Sequence, residues 1–220
     1  SAEETTAGDA AVAVLLAEDG PVRLQPIMTR YETWMAQWRI AGERYARSGD
    51  SRFVAGLTER ALRHALEDAW KAAAAAGGAP ARAAIATAVP SAGARAAATV
   101  GFTDDGTVHG PDVQRSLGFA GTAAPFVSLA AALEAAQDGD AIAWAAIGDG
   151  VDAALVLVDD ASALRDALAT GSRHPRTLSY GRYLRIREVV ADPPLMPFSS
   201  EIAQWRDVEH TARLYGDRCQ

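Results

Sequence analysis

The sequence predicts an α/β fold in which helices are layered on a mixed sheet. Short apolar runs of strand length alternate with longer, alanine-rich stretches that have helical periodicity. Clusters of glycine and proline separate the two kinds of segment. Hydrophobic residues make up 49% of the 220 residues. Because many of them are alanine, the helices are expected to pack closely on the sheet.

The predicted elements follow the order strand, strand, helix, strand, helix, helix, strand, strand. The first strand, 9–17, is expected to be buried and to pair with the second at 22–29, since a Glu18-Asp19-Gly20-Pro21 turn joins them. Leu62, Leu66 and Trp70 share one face of a helix predicted over 57–76. The later elements are strands at 83–88, 141–147 and 153–158, and helices at 92–100 and 125–137. This order is typical of a layered α/β domain, not of a doubly wound dinucleotide fold.

Segments outside this core differ in composition. Residues 31–50 mix aromatic and charged side chains, with a short helix predicted near 34–39. They are interpreted either as a cap on the domain or as the wall of an acyl pocket. Beyond residue 159 we predict a helix at 161–168, a stiff proline-rich linker and a last helix at 200–214. The expected divisions of the chain are 1–165, 166–197 and 198–220.

Charge and cysteine usage restrict the partners. Twenty-eight acidic residues against 21 basic ones give a net charge of −7, which argues against nucleic acid or an anionic membrane surface as the main partner. No apolar run reaches the roughly 20 residues needed to span a bilayer. A single cysteine, Cys219, leaves no internal disulfide and fits a reducing compartment, so a cytoplasmic location is expected.

The most informative motifs lie between residues 118 and 150. Gly118-Phe119-Ala120-Gly121-Thr122 leads into an apolar helix, and Gly139-Asp140, a strand and Gly148-Asp149-Gly150 follow. This order resembles the end of a thiolase-superfamily domain of the hydroxymethylglutaryl-CoA synthase and ketoacyl synthase III branches. The resemblance covers roughly residues 4–160 and corresponds to the second half of that fold. It is supported by Gly8-Asp9-Ala10-Ala11 before an apolar run, by Trp38-Arg39 and Gly42-Glu43, and by residues 50–53.

The resemblance implies an acyl-CoA pocket without its usual chemistry. Members of the family use a cysteine nucleophile from the first half, a histidine from the second half and a polar residue that holds the thioester oxygen. Here 83–90, where the histidine is expected, contains none, the polar position is Phe119, and Cys219 lies outside the resembling region. His109 is a weak candidate for a displaced base. The implied pocket residues are Gly118, Phe119, Gly121, Thr122, Gly148, Asp149 and Gly150.

The C-terminal segment resembles the start of an OB-fold/zinc-ribbon protein that accompanies thiolase-like enzymes. Pro197-Phe198-Ser199, Trp205-Arg206 and Arg218-Cys219 carry that resemblance. It implies zinc only in a partner or a following segment, because the other cysteine ligands are absent from this chain. Asp104 and Asp105 are interpreted as turn residues, so no metal site is predicted. The basic, tyrosine-rich stretch 173–187 is interpreted either as a coenzyme A phosphate site or as a solvated linker.

Three functional hypotheses follow. The first is a catalytically silent thiolase-fold subunit that pairs with a cysteine-bearing thiolase-like chain and an OB-fold/zinc-ribbon element, with a coenzyme A thioester as the substrate of the complex and no covalently bound cofactor. The second is an active hydroxymethylglutaryl-CoA synthase-like acyltransferase whose cysteine lies in a missing first half. The third is a non-enzymatic scaffold that docks the OB-fold partner.

Overall fold

A computed structural model describes residues 7–31, 37–38, 40–42, 47–48, 51–102, 106–148, 150–164, 178–186 and 190. The chain divides into two compact units, Ser1–Ser172 and Arg173–Gln220. The first unit contains the sheet and the helices that pack on it. In the second unit the described part contains one short helix, α5, spanning Tyr180–Ile186.

The first unit is built on a five-stranded mixed sheet. Its strands are β1 (Val22–Tyr31), β4 (Arg82–Ala86), β5 (Val108–His109), β6 (Ala141–Ile147) and β7 (Gly150–Val158), in the order β1-β7-β6-β4-β5. β7 is antiparallel to both of its neighbours, β1 and β6, whereas β6, β4 and β5 run parallel. A separate antiparallel pair consists of β2 (Gln37–Trp38) and β3 (Arg47–Ser48). The α/β class with a mixed sheet is confirmed.

One face of the sheet is covered by two alanine-rich helices, α1 (Ser51–Ala75) and α2 (Pro90–Val100). Leu62, Leu66 and Ala69 of α1 are fully buried on this face, as expected for apolar residues three and four positions apart. Small side chains let α2 approach closely: a Cβ on Gly93 would lie 3.2 Å from the side chains of Ile85 and Thr87. The Trp70 ring packs edge-on against Phe102, with ring centroids 5.2 Å apart.

The other face carries α4 (Ala124–Glu134), which follows α3 (Pro111–Leu117) and a 3-10 turn at Gly121–Ala123. Ala132 and Leu133 of α4 pack with Ala84 and Ile142 of the sheet. The indole Nε1 of Trp144 donates a hydrogen bond of 2.9 Å to the carbonyl oxygen of Pro125, which ties the start of α4 to β6. Because helices cover both faces, the first unit is layered.

Several predicted elements are confirmed with small changes of boundary. The strand predicted at 141–147 is Ala141–Ile147, and the helix predicted at 57–76 begins earlier, at Ser51. The strand predicted at 153–158 begins at Gly150, and the helix predicted at 125–137 is Ala124–Glu134. Residues 161–164 are helical, as predicted for the start of 161–168.

Other predictions are wrong. Residues 9–17 form no strand and are not buried, and β1 pairs with β7 instead. β5 and α3 lie where no strand or helix was predicted, because both are too short to show a clear periodicity. Gln37–Trp38, placed in a predicted helix, is a strand. The helix predicted at 200–214 and the rest of 34–39 lie outside the described residues.

No helix within the described ranges has both the length and the apolar character that crossing a membrane requires.

Candidate functional site

A small cleft lies at the carboxyl end of β4, between that strand, α3 and the start of α4. We call it the Phe119 cleft. Its wall consists almost entirely of apolar side chains and backbone, contributed by Ile85, Ala86, Thr87, Gly110, Val113, Gln114, Leu117, Gly118, Phe119, Ala120, Ala124, Val127 and Ser128. The carboxyl end of a parallel strand is where α/β sheets commonly place their ligands. The cleft is therefore the natural candidate for a site.

Two glycines let the chain close around this cleft. Gly110 has a φ of +138°, and a Cβ there would collide with the carbonyl oxygen of Ile85 and lie 2.9 Å from its carbonyl carbon. Gly118 ends α3 with a φ of +79°, and its Cβ would lie 2.7 Å from the backbone of Ala7. Residues with side chains rarely adopt such φ values, so glycine is required at both positions. Gly110 thus brings the start of α3 against the end of β4, and Gly118 lets Ala7 approach the end of α3.

The polar side chains that line the cleft already serve the backbone. The Thr87 hydroxyl accepts a hydrogen bond of 3.1 Å from the Val89 N–H, and the Ser128 hydroxyl donates one of 2.8 Å to the Pro125 carbonyl. Gln114 supplies an amide, which is not basic enough to deprotonate a nucleophile. The wall holds no cysteine, histidine or carboxylate. A serine or threonine without an adjacent base is a poor nucleophile.

The cleft is also small. Its volume is about 20 Å³. A cavity needs about 10–15 Å³ to hold one water molecule, so there is room for a single water and not for an acyl group. An acyl chain would enter only if α3 or the 118–123 loop moved away from β4.

His109 lies beside the cleft without lining it. Its side chain is 8% exposed, and its Nε2 makes no hydrogen bond within the part of the chain that the structure describes. Burial lowers the pKa of His109 below its ordinary value; the Asp112 carboxylate opposes that shift and the Arg82 guanidinium adds to it. The imidazole is thus neutral at pH 7. The next residue, Gly110, contributes to the wall of the cleft.

The structure brings some of the predicted pocket residues together. Gly118 and Phe119 line the cleft, and Gly121 and Thr122 follow in the exposed 3-10 turn. Gly148 lies at the same end of the sheet, because β6 runs parallel to β4, but it does not line the cleft. Gly150 begins β7, where a Cβ would collide with the carbonyl oxygen of Arg30. Asp149 lies outside the described residues.

Sequence reasoning missed the wall that α3 provides, which includes Val113, Gln114 and Leu117. The signal was present in Gly110-Pro111-Asp112, since proline at the first helical position and an acid in the first turn are typical of a helix start. Gly118 at its end is an equally typical helix stop. At seven residues, α3 is too short for a periodicity to stand out.

The described segments outside the cleft contain no cluster of metal-binding side chains. Within those residues no group of three or more histidine, cysteine, aspartate or glutamate side chains is arranged to hold a metal ion. Cys219, Asp104 and Asp105 lie outside them. In the second unit, an open groove is lined by Ser179 and by Gly181, Arg182, Arg185 and Ile186 of α5. Because every lining residue lies on or next to one seven-residue helix, this groove is a helix flank and not a cavity.

Comparison with known proteins adds no assignment. No model of a protein family matches the chain, and no curated protein matches it significantly.

Proposed function

We propose that the chain is a catalytically silent, thiolase-fold subunit of an acyl-CoA condensing or thiolase complex. In this proposal its sheet and helices are the second half of a thiolase-like layered domain. The nucleophile comes from a separate cysteine-bearing thiolase-like chain, and an OB-fold/zinc-ribbon element joins the complex. The substrate of the complex is a coenzyme A thioester, and the complex acts in the cytoplasm.

One observation carries the proposal: Ile85, Ala86 and Thr87, from the segment 83–90, line the same cleft as Phe119. The resemblance expects the catalytic histidine within 83–90 and the polar residue that holds the thioester oxygen at position 119. They are distant in sequence, yet they meet at the carboxyl end of β4, as two halves of one site would. In this proposal neither the segment 83–90 nor position 119 supplies a group for proton transfer or oxyanion stabilisation.

The surface of α4 supports a partner. This helix contains no charged residue before Glu134, yet only Ser128, Ala132 and Leu133 are buried. Phe126, which packs against Trp144 of the sheet, and Val127, which lines the Phe119 cleft, are also only half-buried. A helix that is apolar on all sides is normally covered on all sides. In an obligate complex, a second layer of protein would cover the outer side of α4.

The cleft volume favours a second candidate, a scaffold that docks its partners without binding coenzyme A. A space for one water molecule is what a closed, vestigial pocket would leave. The two functions differ in one measurable property, the affinity of the assembled complex for coenzyme A at this subunit.

The test is to purify the chain together with its partners and determine every component by intact mass. We expect a second, cysteine-bearing thiolase-like chain, turnover of acyl-CoA by the complex and none by the isolated chain. Turnover by the isolated chain that is lost in the His109→Ala variant would contradict the silent subunit and favour the active acyltransferase. A complex without affinity for coenzyme A would favour the scaffold.

A further inference from the structure

The longest apolar segment outside the core is the run 10–17, which we call the apolar strap. Every residue in it is exposed. Leu15 is 93% exposed and Leu16 82%, while Val12 and Val14 are each about half exposed (42% and 56%). Isolated exposed leucines are common on protein surfaces, but eight consecutive apolar residues are not.

Both ends of the strap are fixed to the folded unit. At one end, the Gly8 N–H donates a hydrogen bond of 3.0 Å to the Phe119 carbonyl, and a Cβ on Gly8 would collide with the carbonyl oxygen of Leu117. At the other end, the Pro21 carbonyl accepts hydrogen bonds from the N–H groups of Asp159 and Asp160. Phe119 is at the cleft end of the sheet and Asp159 at the opposite end, since β7 runs antiparallel to β6.

The strap therefore crosses the height of the sheet, about 30 Å for a nine-residue strand. The twelve residues between the two anchors would reach only about 18 Å as a helix, so the segment has to be extended. Residues 10–17 make no hydrogen bond to another backbone group in the described part of the chain. In an extended strap, the side chains that point to one face and those that point to the other are all apolar. This composition is typical of a strand covered on both faces and not of a solvated edge strand.

Charge decides what kind of partner fits. Asp9 precedes the strap, and Glu18 and Asp19 follow it. If two copies paired antiparallel over 10–17, Asp9 of each would face Glu18 of the other, and a parallel pair would place identical acids side by side. Like charges directly opposite each other destabilise a strand pair, and the net charge of −7 adds to the repulsion. Self-pairing is therefore disfavoured.

We propose that the apolar strap is added as a strand to the open sheet edge of a different protein, whose edge strand is apolar and flanked by lysine or arginine. Such an addition pairs the N–H and C=O groups on one side of the strap and buries its side chains against the partner. A stable interface removes about 800 Å² of surface from each partner. The exposed side chains of Val12, Val14, Leu15 and Leu16, with the half-exposed Leu117 beside the anchor, supply a substantial part of that area. The inference rests on the proposed function for the existence of a separate partner chain, but not for the identity of that chain.

Hydrogen–deuterium exchange of the full chain, alone and in the complex purified from the cells that contain it, tests the proposal. In the isolated chain the amides of 10–17 should exchange as fast as in an unstructured peptide. In the complex we expect them to slow at least 100-fold. Protection of the strap in a dimer of this chain alone, or a complex in which it exchanges as fast as in the free chain, would overturn the proposal.

Two pairs of variants test separately how the backbone of the strap and the acidic residues after it contribute to binding. Val14→Pro removes an N–H in the middle of the strap, whereas Val14→Thr keeps it; neither should change the melting temperature of the isolated chain. We expect Val14→Pro to weaken the complex at least 100-fold and Val14→Thr to weaken it less than about threefold. The double reversal E18K/D19K should weaken the complex at low salt, and the matched reversal E67K/D68K on α1 should not. Equal binding by the two Val14 variants would refute strand addition.

The proposed function and this inference fail in different ways. A partner that protects the strap but has no thiolase-like cysteine subunit contradicts the proposed function and leaves the inference standing. A thiolase-like partner that binds without protecting the strap supports the proposed function and contradicts the inference. If the chain retains no partner at its cellular concentration, both are wrong.

Discussion

The substitution Gly110→Ala tests whether α3 closes onto β4 as described. Gly110 is the N-cap of α3: its N–H donates to the Asp112 carboxylate, and its carbonyl accepts the first helical hydrogen bond from the Gln114 N–H at 2.8 Å. Its φ of +138° is one that residues with a Cβ rarely adopt. The added methyl group would meet the carbonyl group of Ile85, which is held in the sheet and cannot rotate away.

Two costs add at this position. Holding an alanine in a left-handed conformation costs about 1–3 kcal/mol, and forcing a carbon into packed backbone costs about another 1–3 kcal/mol. We therefore expect a loss of about 3 kcal/mol or more, a large fraction of a typical stability of about 5–15 kcal/mol. At about 2–4 °C per kcal/mol for a chain of this size, the melting temperature should fall by about 6–12 °C.

Two other glycines separate these costs. Gly77 has a φ of +99° but open space around its Cβ position, so Gly77→Ala should show the backbone cost alone. Gly56 lies inside α1 with nothing near its Cβ position, so Gly56→Ala should stabilise by about 0.5–1 kcal/mol. Thermal unfolding followed by circular dichroism gives the melting temperatures of the three variants. If Gly110→Ala melts no lower than Gly77→Ala, the close approach to Ile85 is refuted.

The remaining predictions concern His109, which lies beside the cleft, and the contact between Trp144 of β6 and the start of α4. Because the folded state lowers the pKa of His109 by burial, the unfolded chain takes up this proton first as the pH falls below about 6.5. The free energy of unfolding should therefore decrease as the pH falls from about 6.5 towards the lower pKa of the folded state. In urea denaturation at several pH values, His109→Asn should lack this decrease. If the variant keeps the same pH profile, His109 is not the source of the decrease. Trp144→Phe removes the hydrogen bond to the Pro125 carbonyl and keeps an aromatic ring near Phe126, whose centroid is 5.2 Å from the indole ring in the native chain. We expect a loss of about 1 kcal/mol in the free energy of unfolding, measured by urea denaturation, and no measurable loss would mean that this bond does not hold α4 to β6.

The regular parts of the fold were predictable because their sequence signals are long. In α1 the apolar residues recur every three or four positions over 25 residues, and β6 and β7 are apolar runs joined by a glycine turn. The candidate site was predictable only in part. Gly118 and Phe119 were located from their motif, whereas the α3 wall was not, since a seven-residue helix and a two-residue strand leave no periodic pattern.

The run at 10–17 shows how the same signal leads to different outcomes. Its eight apolar residues predict a buried strand, as do the six apolar residues 153–158 of β7, which are fully paired. Strand propensity describes what a segment suits, while pairing depends on which edge is available. The sheet offers the edge of β7 to β1, and the run is left exposed.

By itself, the amino-acid sequence determined the class of the fold, the position of its principal helices and strands, and the lack of a cysteine, a histidine and a polar residue where the thiolase resemblance expects them. Those properties follow from local periodicity and residue identity. Only the tertiary structure decided that Thr87 and Phe119 share one cleft, that this cleft has room for a single water, that His109 is buried beside it, and that the apolar strap is exposed. These depend on contacts between segments distant in the chain, which no local pattern specifies.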